Sequence, residues 1–322
     1  MCLAKLKEQL NLPIKMKIIF MGTPKFSTPF LQKIIDMPNS EISAVFTQKP
    51  KKQGRGMNIK KSEVHQLAEK YNIKVYTPST LKNQEIYDCI NSIEADVIIV
   101  VAYGFILPMK ILNMKKYGCI NVHPSLLPKY RGAAPMQHTI INGDTKTSVC
   151  IMKMDAGMDT GDIIIQEKFD IAHDITYEEL EEKASNIGTK LLEHTINNID
   201  NITYTKQSKE GVTIAPKIDK KESKINWNEH AFKISCKVRA LSSSIGMFFN
   251  YQDTRIKVLE VQYIDKDHYE VFEPGEVIDN NLTIACGYNS VLKILKIQKA
   301  GKKPVTVTEF LRGNSIAKGT KL

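Results

Sequence analysis

Between Met16 and Val122 short apolar runs alternate with longer amphipathic stretches, and this alternation most narrows the folds open to the chain. Lys17–Met21 (KIIFM), Ile42–Thr47, Lys74–Tyr76, Val97–Val101 (VIIVV) and Gly118–Val122 read as strands. Between them Phe26, Phe30, Leu31, Ile34 and Ile35 recur at helical spacing, and Ser62–Tyr71 and Gln84–Ser92 also read as helices. Strands joined through helices run parallel, and their sheet is covered on both faces. The expected fold is therefore α/β, a Rossmann-like, doubly wound, mostly parallel sheet that binds ligands beyond the carboxyl ends of its strands. The Gly22-Thr23-Pro24 turn lacks the second and third glycines of a dinucleotide fingerprint. It reads as a structural turn, which disfavours a nicotinamide cofactor.

Thr176 stands three residues before Glu179, a capping-box spacing, and predicts a helix running to about Asn198. Ile202–Pro216 is polar and irregular. Beyond it, Arg255–Val261, Gly275–Val277, Leu282–Cys286, Val291–Ile297 and Pro304–Val307 read as short strands of a smaller C-terminal, OB-like β-barrel domain. The expected organisation is a catalytic domain at 16–202, a linker at 203–219 and the barrel at 220–322. Residues 1–15 are expected to form a disordered extension ahead of a second possible start at Met16.

Charge adds a partner. The 322 residues include 45 basic and 35 acidic side chains, a net charge of +10, which favours a polyanion. Lysine richness can also be a compositional habit, so the placement of the charge matters more than its total. Residues 49–61 (KPKKQGRGMNIKK) hold six basic side chains and no acid. Taken alone, such a segment is a solvated loop. No apolar run approaches the ~20 residues that span a bilayer, and no apolar region of a signal peptide follows the first lysines. A cytoplasmic protein with no membrane partner is expected. The six cysteines are scattered, without a C-x-x-C pair or clustered histidines, so no metal site is expected and the thiols read as reduced and buried.

The chemistry concentrates in Cys119–Pro135, CINVHPSLLPKYRGAAP. Asn121 and His123, two apart at the end of a predicted strand, point to one face. Pro124 then takes the chain out of the sheet. An amide donor and a titratable imidazole thus stand side by side at a carboxyl edge. Ser125-Leu126-Leu127-Pro128 is apolar for a loop; it either walls a pocket or packs on the core. Met154–Asp162 (MDAGMDTGD) holds three aspartates, too few oxygen ligands for a calcium loop, and on composition alone it is a solvated turn.

Taken together, N-x-H, SLLPxYRGxAP and an aspartate in M-D-T-G-D-I thirty-six residues after the histidine resemble the folate-dependent formyltransferases. The F-M-G-T-P-x-F segment, the run V-V-A-Y-G-F-I-L-P at 100–108 and the basic C-terminal part are similar to those members that act on charged initiator tRNA. The resemblance covers about residues 16–322. It implies Asn121, His123 and Asp159 as the catalytic group. It implies 10-formyltetrahydrofolate as the formyl donor, held by Ser125, Leu126, Leu127 and Pro128 with Phe105 and Ile106 as pocket walls. As partner it implies initiator methionyl-tRNA, touched by Arg55, Lys51, Lys52, Lys60 and Lys61 of the basic loop and by Lys302 and Lys303 of the C-terminal domain. The protein is expected to act as a monomer. Direct transfer to the α-amino group of methionine through a tetrahedral intermediate would then use Asn121 and protonated His123 as oxyanion donors. His123, with a reference pKa near ~6.5, would carry the proton, and Asp159 would orient the ring or a water. An amino-sugar nucleotide or glycinamide ribonucleotide is an alternative acceptor, against which the basic loop and second domain argue. A binding protein with a vestigial catalytic domain is a third reading, against which the intact trio argues.

Overall fold

Five parallel strands, each anticipated by an apolar run in the sequence, build most of the first sheet. The computed structural model describes residues 15–53, 58–264 and 271–322. In chain order the first elements are β1 (Met16–Gly22), α1 (Thr28–Asp36), β2 (Ser40–Phe46), a hairpin of β3 (Lys51–Gln53) and β4 (Asn58–Lys60), α2 (Glu63–Lys70), β5 (Val75–Tyr76), α3 (Gln84–Ser92) and β6 (Val97–Val101). Next come α4 (Met109–Leu112), β7 (Cys119–His123), α5 (Pro135–Ile141), β8 (Lys146–Lys153), β9 (Ile163–Asp170) and α6 (Tyr177–Asn197).

The sheet order is β5-β2-β1-β6-β7-β8-β9. Pairing is parallel from β5 to β7, while β8 runs antiparallel to β7. The winding reverses between β1 and β6, and at such a reversal the connecting loops diverge and leave a crevice at the carboxyl rim. Every residue of β6 and β7 is buried, as a central strand covered on both faces requires. α1 inserts Phe30, Leu31 and Ile34 beneath the sheet. The Thr176–Glu179 cap forms as its spacing predicts: the Thr176 N–H donates to Glu179 Oε2 at 2.8 Å, and the Glu179 N–H donates to Thr176 Oγ1 at 3.3 Å.

Two compact units emerge from the chain. The first comprises the described residues within 1–131, 148–168 and 182–213, and the second those within 132–147, 169–181 and 214–322. The segment read as a linker is fastened inside the first unit as far as Thr213. Thr205 and Ile163 exchange N–H···O bonds of 2.8 Å, and the Arg131 N–H donates to the Thr213 carbonyl at 3.0 Å.

In the second unit, α7 (Ala231–Leu241) packs on a five-stranded antiparallel sheet of β10 (Met247–Tyr251), β11 (Thr254–Ile264), β12 (Thr283–Cys286), β13 (Ser290–Lys299) and β14 (Val305–Thr306). Its order is β10-β11-β13-β12, with β14 on β13. Register shifts at Val258–Val261 of β11 bend the strand and curl the sheet into a half-barrel. Two expected strands are shorter than the sequence suggested. Gly275–Val277 makes only isolated bridges, Glu276 to Lys321 and Val277 to Ile284. Pro304–Val307 yields the two residues of β14, because Thr306 and Glu309 form a capping box that starts α8 (Val307–Leu311).

Candidate active site

β7 delivers both central side chains. Asn121 pairs with Val100 of β6 and Met152 of β8, and His123 pairs with Cys150. Alternation along the strand sends Asn121 and His123 to the same face at its carboxyl end. They are 7% and 4% exposed, so the carboxamide and the ring both stand largely shielded from solvent.

His123 is held from two sides. Its Nε2 lies 3.0 Å from the Tyr130 carbonyl oxygen. A carbonyl only accepts, so Nε2 carries a hydrogen, and Nδ1 is the nitrogen left for chemistry. Nδ1 lies 3.7 Å from Asp159 Oδ2, an ion-pair separation too long for a direct hydrogen bond. Ring orientation therefore comes from the Tyr130 carbonyl, and Asp159 supplies negative charge beside Nδ1. Sequence reasoning had no way to find Tyr130, because the contact is made by its backbone.

Both flanking residues adopt left-handed backbone, with φ of 62° at Tyr130 and 55° at Asp159. For non-glycine residues this costs of the order of 1–3 kcal/mol each, and the surrounding structure must hold them there. The Asp159 loop is organised by Asp155, whose Oδ1 accepts from the Gly157 N–H at 3.0 Å and the Thr160 hydroxyl at 2.6 Å. Gly161 lets the loop lie against β8: a Cβ there would stand 1.8 Å from the Lys153 carbonyl oxygen.

The Ser125–Pro128 loop divides its residues between scaffold and surface. The Ser125 hydroxyl donates to the Lys129 carbonyl at 2.7 Å, and Leu127 packs against Cys150, Met152 and Ile163. Leu126 and Pro128 remain partly exposed. Beneath them, Ser148 Oγ and Cys150 Sγ donate to the Ser125 carbonyl at 2.6 and 3.2 Å. Burial pushes the Cys150 thiol up, and it pushes the Cys119 thiol up to about 12, so neither is a thiolate nucleophile. The Phe105–Ile106 loop starts from β6, directly beside β7. Phe105 is half-buried against Tyr103 with ring centroids 5.3 Å apart, whereas Ile106 is 83% exposed.

The basic loop forms the β3–β4 hairpin. Its base is tied to the rim: Gln48 Nε2 donates to the Tyr103 and Gly104 carbonyls at 3.3 and 3.4 Å. Lys51 is exposed and donates to Gln48 Oε1 at 2.5 Å. Lys52 belongs to β3. Lys60 and Lys61 face acids of α2, Glu63 at 3.4 Å and Glu69 at 2.6 Å, in surface pairs that are weak and open to exchange. Arg55 lies outside the described residues. In the second unit Lys302 and Lys303 are both exposed between β13 and β14. Among the described residues no group of three or more histidine, cysteine or carboxylate side chains could hold a metal.

A paired amide and imidazole with a carboxylate beside the ring, at the carboxyl edge of a parallel sheet and followed by a half-barrel unit, define a class. The chain belongs to the formyl transferase family: residues 16–196 match its formyl transferase domain and residues 217–315 its C-terminal domain. Among named relatives, it is 53% identical over 307 residues to the methionyl-tRNA formyltransferase of Rickettsia rickettsii (strain Iowa), covering 95% of this chain and 100% of the relative. Identity to the same enzyme of Rickettsia canadensis (strain McKiel) is 51%, with the same coverage. Two solved structures share the fold. One is WlaRD, a sugar 3N-formyl transferase, with a TM-score of 0.63 and 21% identity, covering 89% of this chain and 99% of that one. The other is the methionyl-tRNA formyltransferase from Clostridium thermocellum, with a TM-score of 0.56 and 22% identity, covering 77% and 93%.

Proposed function

We propose that this enzyme transfers the formyl group of 10-formyltetrahydrofolate to the α-amino group of methionine on charged initiator tRNA, in the cytoplasm. The observation that carries the proposal is the trio Asn121, His123 and Asp159, gathered at one sheet edge in a chain that matches methionyl-tRNA formyltransferases along nearly its whole length. As an amine attacks the formyl carbon, negative charge grows on the formyl oxygen. Asn121 donates to that oxygen from its carboxamide. His123 moves the amine proton at Nδ1, since Nε2 is occupied by Tyr130, and the Asp159 carboxylate stabilises the charged ring. Leu126, Pro128, Phe105 and Ile106 supply apolar surface for the folate ring. The β3–β4 hairpin with Arg55, and Lys302 and Lys303, contribute positive charge toward the tRNA.

Purified protein incubated with 10-formyltetrahydrofolate and either methionyl initiator tRNA or a nucleotide-linked amino sugar tests the reading directly. Formylmethionyl-tRNA, resolved from the unformylated form by acid gel, is the expected product. Formylation of the amino sugar alone would overturn it.

A further inference from the structure

The polar stretch 203–213 of the first unit, unremarkable in composition, puts one side chain into the scaffold of the site. Gln207 Nε2 donates to the Asp159 carbonyl at 2.9 Å and to the Gly161 carbonyl at 2.7 Å. Its Oε1 accepts from Arg131 Nε at 3.1 Å and from Arg131 Nη2 at 2.7 Å. Every hydrogen-bonding valence of the carboxamide is thereby used. Arg131 directly follows Tyr130, whose carbonyl holds His123 Nε2, and Asp159 is the residue beside His123 Nδ1. One planar group therefore joins the two loops that grip opposite nitrogens of the same ring.

From this geometry we infer that Gln207, together with Arg131, is a positioning residue for formyl transfer: it fixes the separation between the Tyr130 carbonyl and the Asp159 carboxylate across His123. The inference rests on the functional reading above. Three features make the joint necessary. Tyr130 and Asp159 both hold left-handed backbone, which relaxes unless it is restrained. Asp159 Oδ2 lies 3.7 Å from Nδ1, so a small shift of its loop changes the negative charge that the ring feels. Thr205 and Thr213 anchor the segment on either side of Gln207, so the carboxamide is presented from a rigid strap: the Thr205 N–H donates to the Ile163 carbonyl at 2.8 Å, and Thr213 Oγ1 accepts from the Tyr130 N–H at 2.9 Å.

Two substitutions separate joining from simple anchoring. Gln207→Ala removes both halves of the joint. Gln207→Glu keeps an acceptor for Arg131 but turns a carboxylate oxygen onto the Asp159 and Gly161 carbonyls, so only the Asp159 side is lost. Because misplacement of about 1 Å costs up to about 10²-fold in rate, each variant is expected to lower kcat roughly ten- to a hundredfold while KM for folate and for tRNA stays within about twofold. In an Asp159→Ala background, Gln207→Ala is expected to add less than about a twofold further loss, because both changes act through the same group. Cooperative thermal unfolding of each variant establishes that it folds. Wild-type kcat in Gln207→Glu, a loss confined to KM, or full additivity with Asp159→Ala overturns the inference. If wild-type protein formylates a different amine instead of charged tRNA, the functional reading falls, and the same series on that amine decides the role of Gln207.

Discussion

Replacing Gly161 by alanine tests how finely the Asp159 loop must be placed. The added Cβ would stand 1.8 Å from the Lys153 carbonyl oxygen and 2.9 Å from its carbon. Carbon and oxygen approach comfortably to about 3.3 Å, so something must yield by about 1.5 Å. Lys153 belongs to β8, a sheet strand paired on β7, and its N–H donates to the Asp162 carbonyl at 2.9 Å. The loop is therefore the part that moves, carrying the two carbonyls that Gln207 grips and the carboxylate beside His123. Overpacking of this kind costs about 1–3 kcal/mol, and for a chain of this size each kcal/mol lowers Tm by roughly 2–4 °C. The catalytic effect is larger: a shift near 1 Å at the reacting groups is worth about 10²-fold in kcat. Single-turnover formylation at saturating folate, alongside thermal unfolding, reads both. Gly313, whose added Cβ meets nothing within 4 Å, provides a silent control as Gly313→Ala. If Gly161→Ala retains kcat within about twofold of wild type, placement of the Asp159 loop does not limit the reaction.

Further outcomes follow from separate parts of the molecule. Asn121→Ala is expected to lower kcat by about 10²–10³-fold with tRNA affinity retained in a filter-binding assay, as for loss of one oxyanion donor. Thr176→Ala removes the cap of α6 and is expected to cost about 1 kcal/mol, seen as a Tm lowered by roughly 2–4 °C with the formylation rate unchanged. Burial pushes the Cys119 and Cys286 thiols up to about 12, so only about 10⁻⁴ of each is thiolate at pH 8, and peptide mapping after brief alkylation should recover both unmodified. Above about pH 8.5 the unfolded chain releases these protons while the folded chain keeps them. The unfolded state then binds fewer protons, so stability should fall as pH rises from about 8.5 toward 12, measurable as a declining denaturation midpoint.

The sequence made some features legible and hid others for physical reasons. The central parallel strands were visible because strands covered on both faces must be continuously apolar, as VIIVV at 97–101 is, whereas β5 at the sheet edge is short and half-buried. β8 and β9 bracket the acidic loop and carried no apolar run as clear as VIIVV: KTSVCIMK at 146–153 buries Thr147 and Ser148 along with its apolar residues, so its continuous burial does not show in its polarity. Cap chemistry was local and therefore readable at Thr176–Glu179. At the site, Asn121 and His123 could be placed together because strand period alone puts them on one face. Asp159 needed the family motif, since its approach to His123 is a long-range contact. Gln207 and the Tyr130 carbonyl carried no signal: one is a glutamine in a polar stretch, and the other acts through backbone that any residue possesses. The β11 bulges that curl the second sheet depend on register between strands, and register is not written in a single strand.

The strap formed by Thr205, Gln207 and Thr213 has a consequence for how this chain can be taken apart. Composition suggests cutting after residue 202, where polarity rises and regular structure ends. A fragment ending there would keep Asn121, His123 and Asp159 yet forfeit the three anchors that hold the loops around them. Such a fragment is expected to turn over poorly although all three side chains are present. Any graft that gives this catalytic half a new C-terminal partner must carry the native sequence through Thr213, so the usable seam lies about eleven residues beyond the one composition suggests.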